Sequence, residues 1–159
     1  MTLVADRLAQ RGLALPAPPA ALAAYAPAVL RDGWIYTAGQ LPLRDGALVA
    51  TGRLGADVDV ETGAAAAEVA ALNALAAIAG VAPDIDQIQL VKLVGYVAST
   101  GDFIDQPAVI NGASLLLADV LGEAGVHARS AVGVASLPLN APVEIEVVAQ
   151  LRDESAIGG

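Results

Sequence analysis

HARSAVGVASLPLNAPVEIEVVAQL, residues 127–151, is the stretch on which the reading of the chain turns. It holds two runs of strand character, Ala128 to Val134 and Pro142 to Leu151, joined by a loop at Leu137 to Asn140. Successive strand side chains alternate between faces. In the second run Val143, Ile145, Val147 and Ala149 therefore share one face, and Glu144 and Glu146 share the other. In the first run Arg129 falls on the face of Ala131, Gly133 and Ala135, small neighbours that leave open space beside an arginine. If the two strands pair, Arg129 and a glutamate line one concavity. A planar guanidinium there can grip a carboxylate through two parallel hydrogen bonds. A nearby glutamate can orient or deprotonate a water. On spacing alone, an ordinary Arg–Glu ion pair on a solvated sheet face accounts for the same pattern.

Working outward, Pro107 to Glu123 reads as a helix, with Ile110, Ala113, Leu117, Val120, Leu121 and Ala124 as its apolar stripe. Ile88 to Ser99 before it reads as a strand. A longer helix is expected from Val60 to Ala79, with Glu61 near its start, where the helix dipole favours a negative charge, and Gly80 as its stop. Nearer the N-terminus, Asp32-Gly33 and Asp45-Gly46 supply the positive φ of tight hairpins. They mark turns between Tyr25 to Leu30 and Trp34 to Gly39, and before a short strand at Ala47 to Ala50. Thr2 to Gln10 reads as a short helix, Leu15 to Ala24 as an extended lead-in, and Asp153 to Gly159 as a frayed tail. Strands run first, then helix and strand alternate. That order predicts an α+β layer architecture, a mixed sheet with two long helices on one face, folded as one domain over residues 1–159.

Composition narrows the function classes. Hydrophobic residues make up 56% of the 159, much of it alanine, and charged residues only 16%. So little polar surface hints that a partner chain covers some apolar surface. Seventeen acidic residues against eight basic ones set a net charge of -9, with no Lys/Arg cluster, which argues against nucleic acid as a partner. Cysteine is absent, so thiolate chemistry and disulfides are excluded, and no basic-then-apolar leader is evident. The expected location is the cytoplasm. Gly63 to Pro83 has the length of a membrane span. Its alanine content and the interruptions at Glu68 and Asn73 favour a buried, close-packed helix instead, with no membrane partner.

The remaining candidates admit plainer readings as well. Tyr25 can offer a ring or hydroxyl to a ligand, or pack at a hairpin edge. Gly39 can present a backbone N–H to an oxyanion, or mark a bulge. Asn111 can reach a ligand, or cross-link near the start of a helix. His127 stands alone, without the further ligands a metal site needs, and reads as structural or as part of a site rim. No P-loop, dinucleotide fingerprint or zinc-protease motif occurs.

The segment HARSAVGVASLPLNAPVEIE, residues 127–146, resembles the C-terminal signature of the RidA/YjgF family, and WIYTAGQLP, residues 34–42, resembles its N-terminal signature. VINGAS, residues 109–114, and the helix from about Glu61 fall in the right order between them. The likeness runs from about Tyr25 to Leu151. The N-terminal helix and the stretch from Phe103 to Val109 resemble a longer branch of the family. The resemblance implies a chorismate-mutase-like fold, a homotrimer with sites between subunits, and no cofactor or metal. It implies hydrolysis of reactive enamines and 2-iminoacids to 2-oxo acids and ammonia. Arg129 would hold the substrate carboxylate and Glu144 would position the attacking water. Tyr25, Gly39, Asn111 and Ala131 would line or support the site. The chain departs from the deaminase branch at Ala38, where a serine is common, and at Ala131, where a cysteine is common. Those losses spare carboxylate binding more than catalysis. A non-catalytic trimer that binds or senses a small carboxylate therefore stands as the alternative, and ribonuclease activity is disfavoured by the acidic charge.

Overall fold

The computed structural model describes residues 2–19 and 24–152. The expected tail at 153–159 and the lead-in residues 20–23 lie outside the described residues. Five strands form one sheet in the order β1-β2-β7-β5-β6: β1 Ala28–Arg31, β2 Trp34–Thr37, β5 Ile88–Ala98, β6 Ala128–Val134 and β7 Val143–Leu151. A separate small hairpin pairs β3, Leu43–Arg44, with β4, Ala47–Leu48. All pairings are antiparallel except β5 with β6, which are linked through α3, Gln106–Leu121. The other helices are α1, Leu3–Gln10, and α2, Val60–Ala79.

Local chemistry accounts for most of the boundaries. Asp59 caps α2 by accepting from the Thr62 amide at 2.7 Å, and the Thr62 hydroxyl first and this amide second hold its carboxyl below the usual value. Thr2 caps α1 at the Ala5 amide. Both Asp-Gly turns adopt the expected left-handed pair, with Asp32 and Gly33 at φ 49° and 80° and Asp45 and Gly46 at 52° and 80°. The strand expected from Tyr25 begins only at Ala28. Pro27 has no N–H to give a ladder, although its carbonyl accepts from Ala38 at 2.8 Å. The helix expected to Glu123 stops at Leu121, because Gly122 turns to φ 62° and a 3-10 turn, Gly122–Gly125, follows.

Both long helices pack on the face of the sheet that carries Ile35, Leu93, Val97, Val143, Ile145, Val147 and Ala149, and one core joins these residues to the helices. Helix α2 buries alanines at 66, 67, 70, 71, 74, 76 and 77, which allow a close approach of backbone to backbone. At the crossing with α3, Gly112 faces the Ala64 carbonyl group, and a Cβ on it would lie 2.7 Å from the Ala64 carbonyl carbon. A second fit is made at Gly95, where a Cβ would stand 2.5 Å from Ile110 Cδ1. Helix α2 and the stretch Gln106–Gly125 are long and apolar enough to cross a membrane. In this fold α2 is packed against both the sheet and α3, the arrangement of a core helix, as its alanine content predicts.

One expectation of the strand reading fails. Strands β6 and β7 do not pair, because β5 lies between them. The register sets Arg129 opposite Leu93, and Leu93 opposite Val147, on the face packed by the helices. Glu144 lies opposite Tyr96, and Tyr96 opposite Val132, on the other face. Arg129 and Glu144 therefore project from opposite faces of one sheet, and no single concavity of one subunit holds both. Alternation within each strand is legible in the sequence. Which faces of two strands coincide depends on the intervening strand and its register.

Candidate functional site

Arg129 sits at the sheet edge, on the second residue of β6, where α3 runs alongside. Its Nη1 donates to Asn111 Oδ1 at 2.8 Å and to Ser114 Oγ at 3.3 Å. Asn111 and Ser114 are three residues apart on α3, so one helical face presents both acceptors. Ser114 Oγ lies 3.0 Å from His127 Nε2, and His127 Nδ1 lies 2.6 Å from the Gly125 carbonyl oxygen. A carbonyl accepts only, so Nδ1 carries a proton, and in the neutral ring Nε2 then accepts from the Ser114 hydroxyl. These side chains line a hollow of about 440 Å³, completed by Leu115, Ala118, Gly125 and Val126. Among the described residues Arg129 has no carboxylate partner, and the ion pairs present are those of Arg11 with Glu68 and Asp119. The solvated Arg–Glu pair allowed by spacing is thus not what this arginine makes. Ala131 follows on the same face, half-buried against the core.

Glu144 occupies a second corner, on the other side of the sheet. The chain leaves β2 after Thr37, passes Ala38 and Gly39, and rejoins β7 at Gln40, whose amide donates to the Ile145 carbonyl at 2.7 Å. Between Tyr36↔Val148 and Gln40↔Ile145, β2 uses one more residue than β7, so Ala38–Gly39 forms a bulge. Thr37 Oγ1 accepts from the Val147 amide, which the bulge leaves without a ladder partner. Glu144 lies directly over Gly39. Burial first, and the charge of Glu146 second, push its carboxyl above the ordinary value of 4.5. Burial likewise raises the Tyr96 phenol, joined by the Glu146 carboxylate hydrogen-bonded beside it and, less, by Glu144. Tyr25 is largely exposed in the bend before β1. The Pro27–Ala38 hydrogen bond places it at the Gly39 end of the sheet.

The structure places the candidate residues in two clusters, Arg129 with Asn111 and Ala131 on one face, and Glu144 with Gly39 on the other, with Tyr25 exposed before β1. Two further neighbours, Ser114 and Tyr96, are not singled out by strand alternation. Ser114 has the helical i, i+3 relation to Asn111 as its signal. Tyr96 has its place opposite Glu144, which no single-strand pattern reveals. His127, for which the sequence left a structural and a rim role open, lines the hollow and lies within hydrogen-bond reach of Ser114.

A five-stranded mixed sheet backed by two long helices on one face defines the class. The family model described as "YjgF/chorismate mutase-like, putative endoribonuclease" matches residues 5–151. The chain belongs to the YjgF/RidA family. It is 40% identical over 152 residues to Protein TCP17 of Trypanosoma cruzi, covering 94% of this chain and 95% of that protein. Among solved structures, the protein Atu1372 of unknown function from Agrobacterium tumefaciens superposes with a TM-score of 0.87 at 44% identity, covering 94% and 92% of the two chains. The YyfA protein of the conserved Rid family from Yersinia pestis superposes with a TM-score of 0.59 at 29% identity, covering 84% and 93%.

Proposed function

We propose that the chain is a cytoplasmic homotrimeric deaminase that hydrolyses 2-iminoacids and related enamines to 2-oxo acids and ammonia. Arg129 anchors the substrate carboxylate and Glu144 positions the water. The observation that carries the reading is an arginine oriented by neutral groups alone, facing an open hollow. Asn111 and Ser114 fix its Nη1, and its other donors remain for a carboxylate. A carboxyl held above its ordinary value at Glu144 is a stronger proton acceptor than a free carboxylate.

Assembly supplies what one subunit lacks. With Arg129 and Glu144 on opposite faces, a complete site requires the Arg129 cradle of one subunit to meet the Glu144 corner of the next. Apolar surface supports such a contact. Leu115 and Val126 on the hollow are 63% and 75% exposed, and Tyr36 and Val132 on the outer sheet face are 48% and 43% exposed. Ala131 beside Arg129 favours the alternative, a trimer that binds a small carboxylate without turning it over. A net charge of -9 works against RNA as substrate.

Ammonia release is measured while an amino-acid oxidase generates imines in situ, with wild type and Arg129→Ala. Acceleration by the wild type alone supports the deaminase. Equal rates with and without protein remove it. A 2-oxo-acid thermal shift that vanishes in Arg129→Ala, without turnover, moves the assignment to carboxylate binding.

A further inference from the structure

We propose that Ser114 and His127 form a proton-accepting pair in the Arg129 hollow, acting on whatever small carboxylate Arg129 anchors there. Its catalytic part rests on the deaminase reading above. The valences single out this pair. His127 Nδ1–H is committed to the Gly125 carbonyl at 2.6 Å, so Nε2 is left as a base. With the ring neutral, the Ser114 hydroxyl donates to Nε2 across 3.0 Å. Of the two lone pairs on Ser114 Oγ, one accepts from Arg129 Nη1 and one is open. A water or ligand hydroxyl in the hollow can donate to that open lone pair, its proton moving to Oγ as the serine proton moves to Nε2. Nothing else in the hollow can accept a proton so readily. Arg129 is the one charged group in its wall, and Asn111, Leu115, Ala118, Gly125 and Val126 are neutral.

For an iminium of a 2-iminoacid the step balances as follows. The water oxygen bonds to the iminium carbon, and the C=N π pair moves onto nitrogen as an amine. One water proton passes through Ser114 to His127, giving a hydroxy-amine and an imidazolium. The imidazolium returns its proton through Ser114 to the amine nitrogen. The C–N bond then breaks with its pair on nitrogen, and the C=O bond forms. The hydroxyl proton leaves on the ammonia, so the products are 2-oxo acid and ammonium. The pair thus supplies, within the half-site that binds the carboxylate, a route for the protons separate from Glu144.

His127 is the only histidine in the chain, so its ring is observed without assignment variants. The first measurement is long-range ¹H–¹⁵N correlation on the ring, with and without a 2-oxo acid. A protonated Nδ1, a bare Nε2 and a ligand-induced shift of Nε2 that is absent in Arg129→Ala are expected. A bare Nδ1, or a ring blind to a ligand that Arg129 binds, overturns the pair. The second measurement is steady-state hydrolysis by Ser114→Ala and His127→Gln. A kcat drop of roughly 10²-fold is expected, with KM within about threefold, because Asn111 still orients Arg129. Unchanged kcat in both variants overturns the proton role. If wild type hydrolyses no imine yet the ring responds to ligand, the deaminase reading fails while the pair stands as part of a carboxylate site.

Discussion

The Glu144 carboxyl group occupies the space that a side chain at residue 39 would need. A Cβ on Gly39 would overlap Oε1 and stand 2.7 Å from Cδ and 3.0 Å from Cγ of Glu144. Gly39 does not adopt a positive φ, so its role is room and not backbone freedom. Gly39→Ala is therefore expected to swing the Glu144 carboxyl away and leave the fold intact. Hydrolysis of in situ imines should fall at least tenfold in kcat, a loss of about 1.4 kcal/mol in transition-state stabilisation, with a thermal midpoint near wild type. Wild-type kcat in this variant would show that the position of Glu144 over Gly39 does not matter to turnover.

The raised Glu144 carboxyl makes a stability prediction with a definite sign. The folded chain holds this proton more tightly than the unfolded chain does. Stability is undiminished below the ordinary carboxyl range and falls as pH rises through the raised folded value. Glu144→Gln removes the buried charge, so it should melt above wild type at neutral pH. That gap should close as pH drops below roughly 4. Thermal melts across a pH series make the check, and a gap independent of pH would exclude burial of the charge as its cause.

Gly112 is a packing glycine between two rigid backbones. Its absent Cβ would lie 2.7 Å from the carbonyl carbon and 3.0 Å from the Cα of Ala64. Neither atom belongs to a side chain that can rotate away, so Gly112→Ala should push α2 and α3 apart. The expected loss is about 1–3 kcal/mol by urea unfolding. A neutral or stabilising result, as for an alanine in an open helix, would mean that the helices accommodate the methyl without moving.

The outer sheet face carries the prediction on assembly. Tyr36→Glu and Val132→Asp each put a charge among half-exposed apolar side chains on the sheet face that also carries Tyr96 and Glu144. If this face is covered by other subunits, sedimentation should shift from trimer to smaller species, and hydrolysis should fall with it. A wild-type trimer in both variants would locate the subunit contact elsewhere.

Much of the fold was legible because it rests on local rules. The two Asp-Gly turns, the span of α2 and the alternation of β7 all follow from backbone stereochemistry and side-chain period, which neighbouring residues determine among themselves. The resemblance at residues 34–42 and 127–146 implies roles for Gly39, Arg129 and Glu144 through the motif positions they match. Tertiary structure decided how those residues stand to one another. Strand β5 inserts between β6 and β7, so a pairing that looked available in the sequence does not occur, and Arg129 and Glu144 face opposite ways. The link from Ser114 to His127 arises in the same manner, where α3 lies against the edge strand. A strand's own alternation is a property of consecutive residues. The face it shares with a distant strand is set by register and by what lies between, and those are fixed only when the whole sheet packs against its helices.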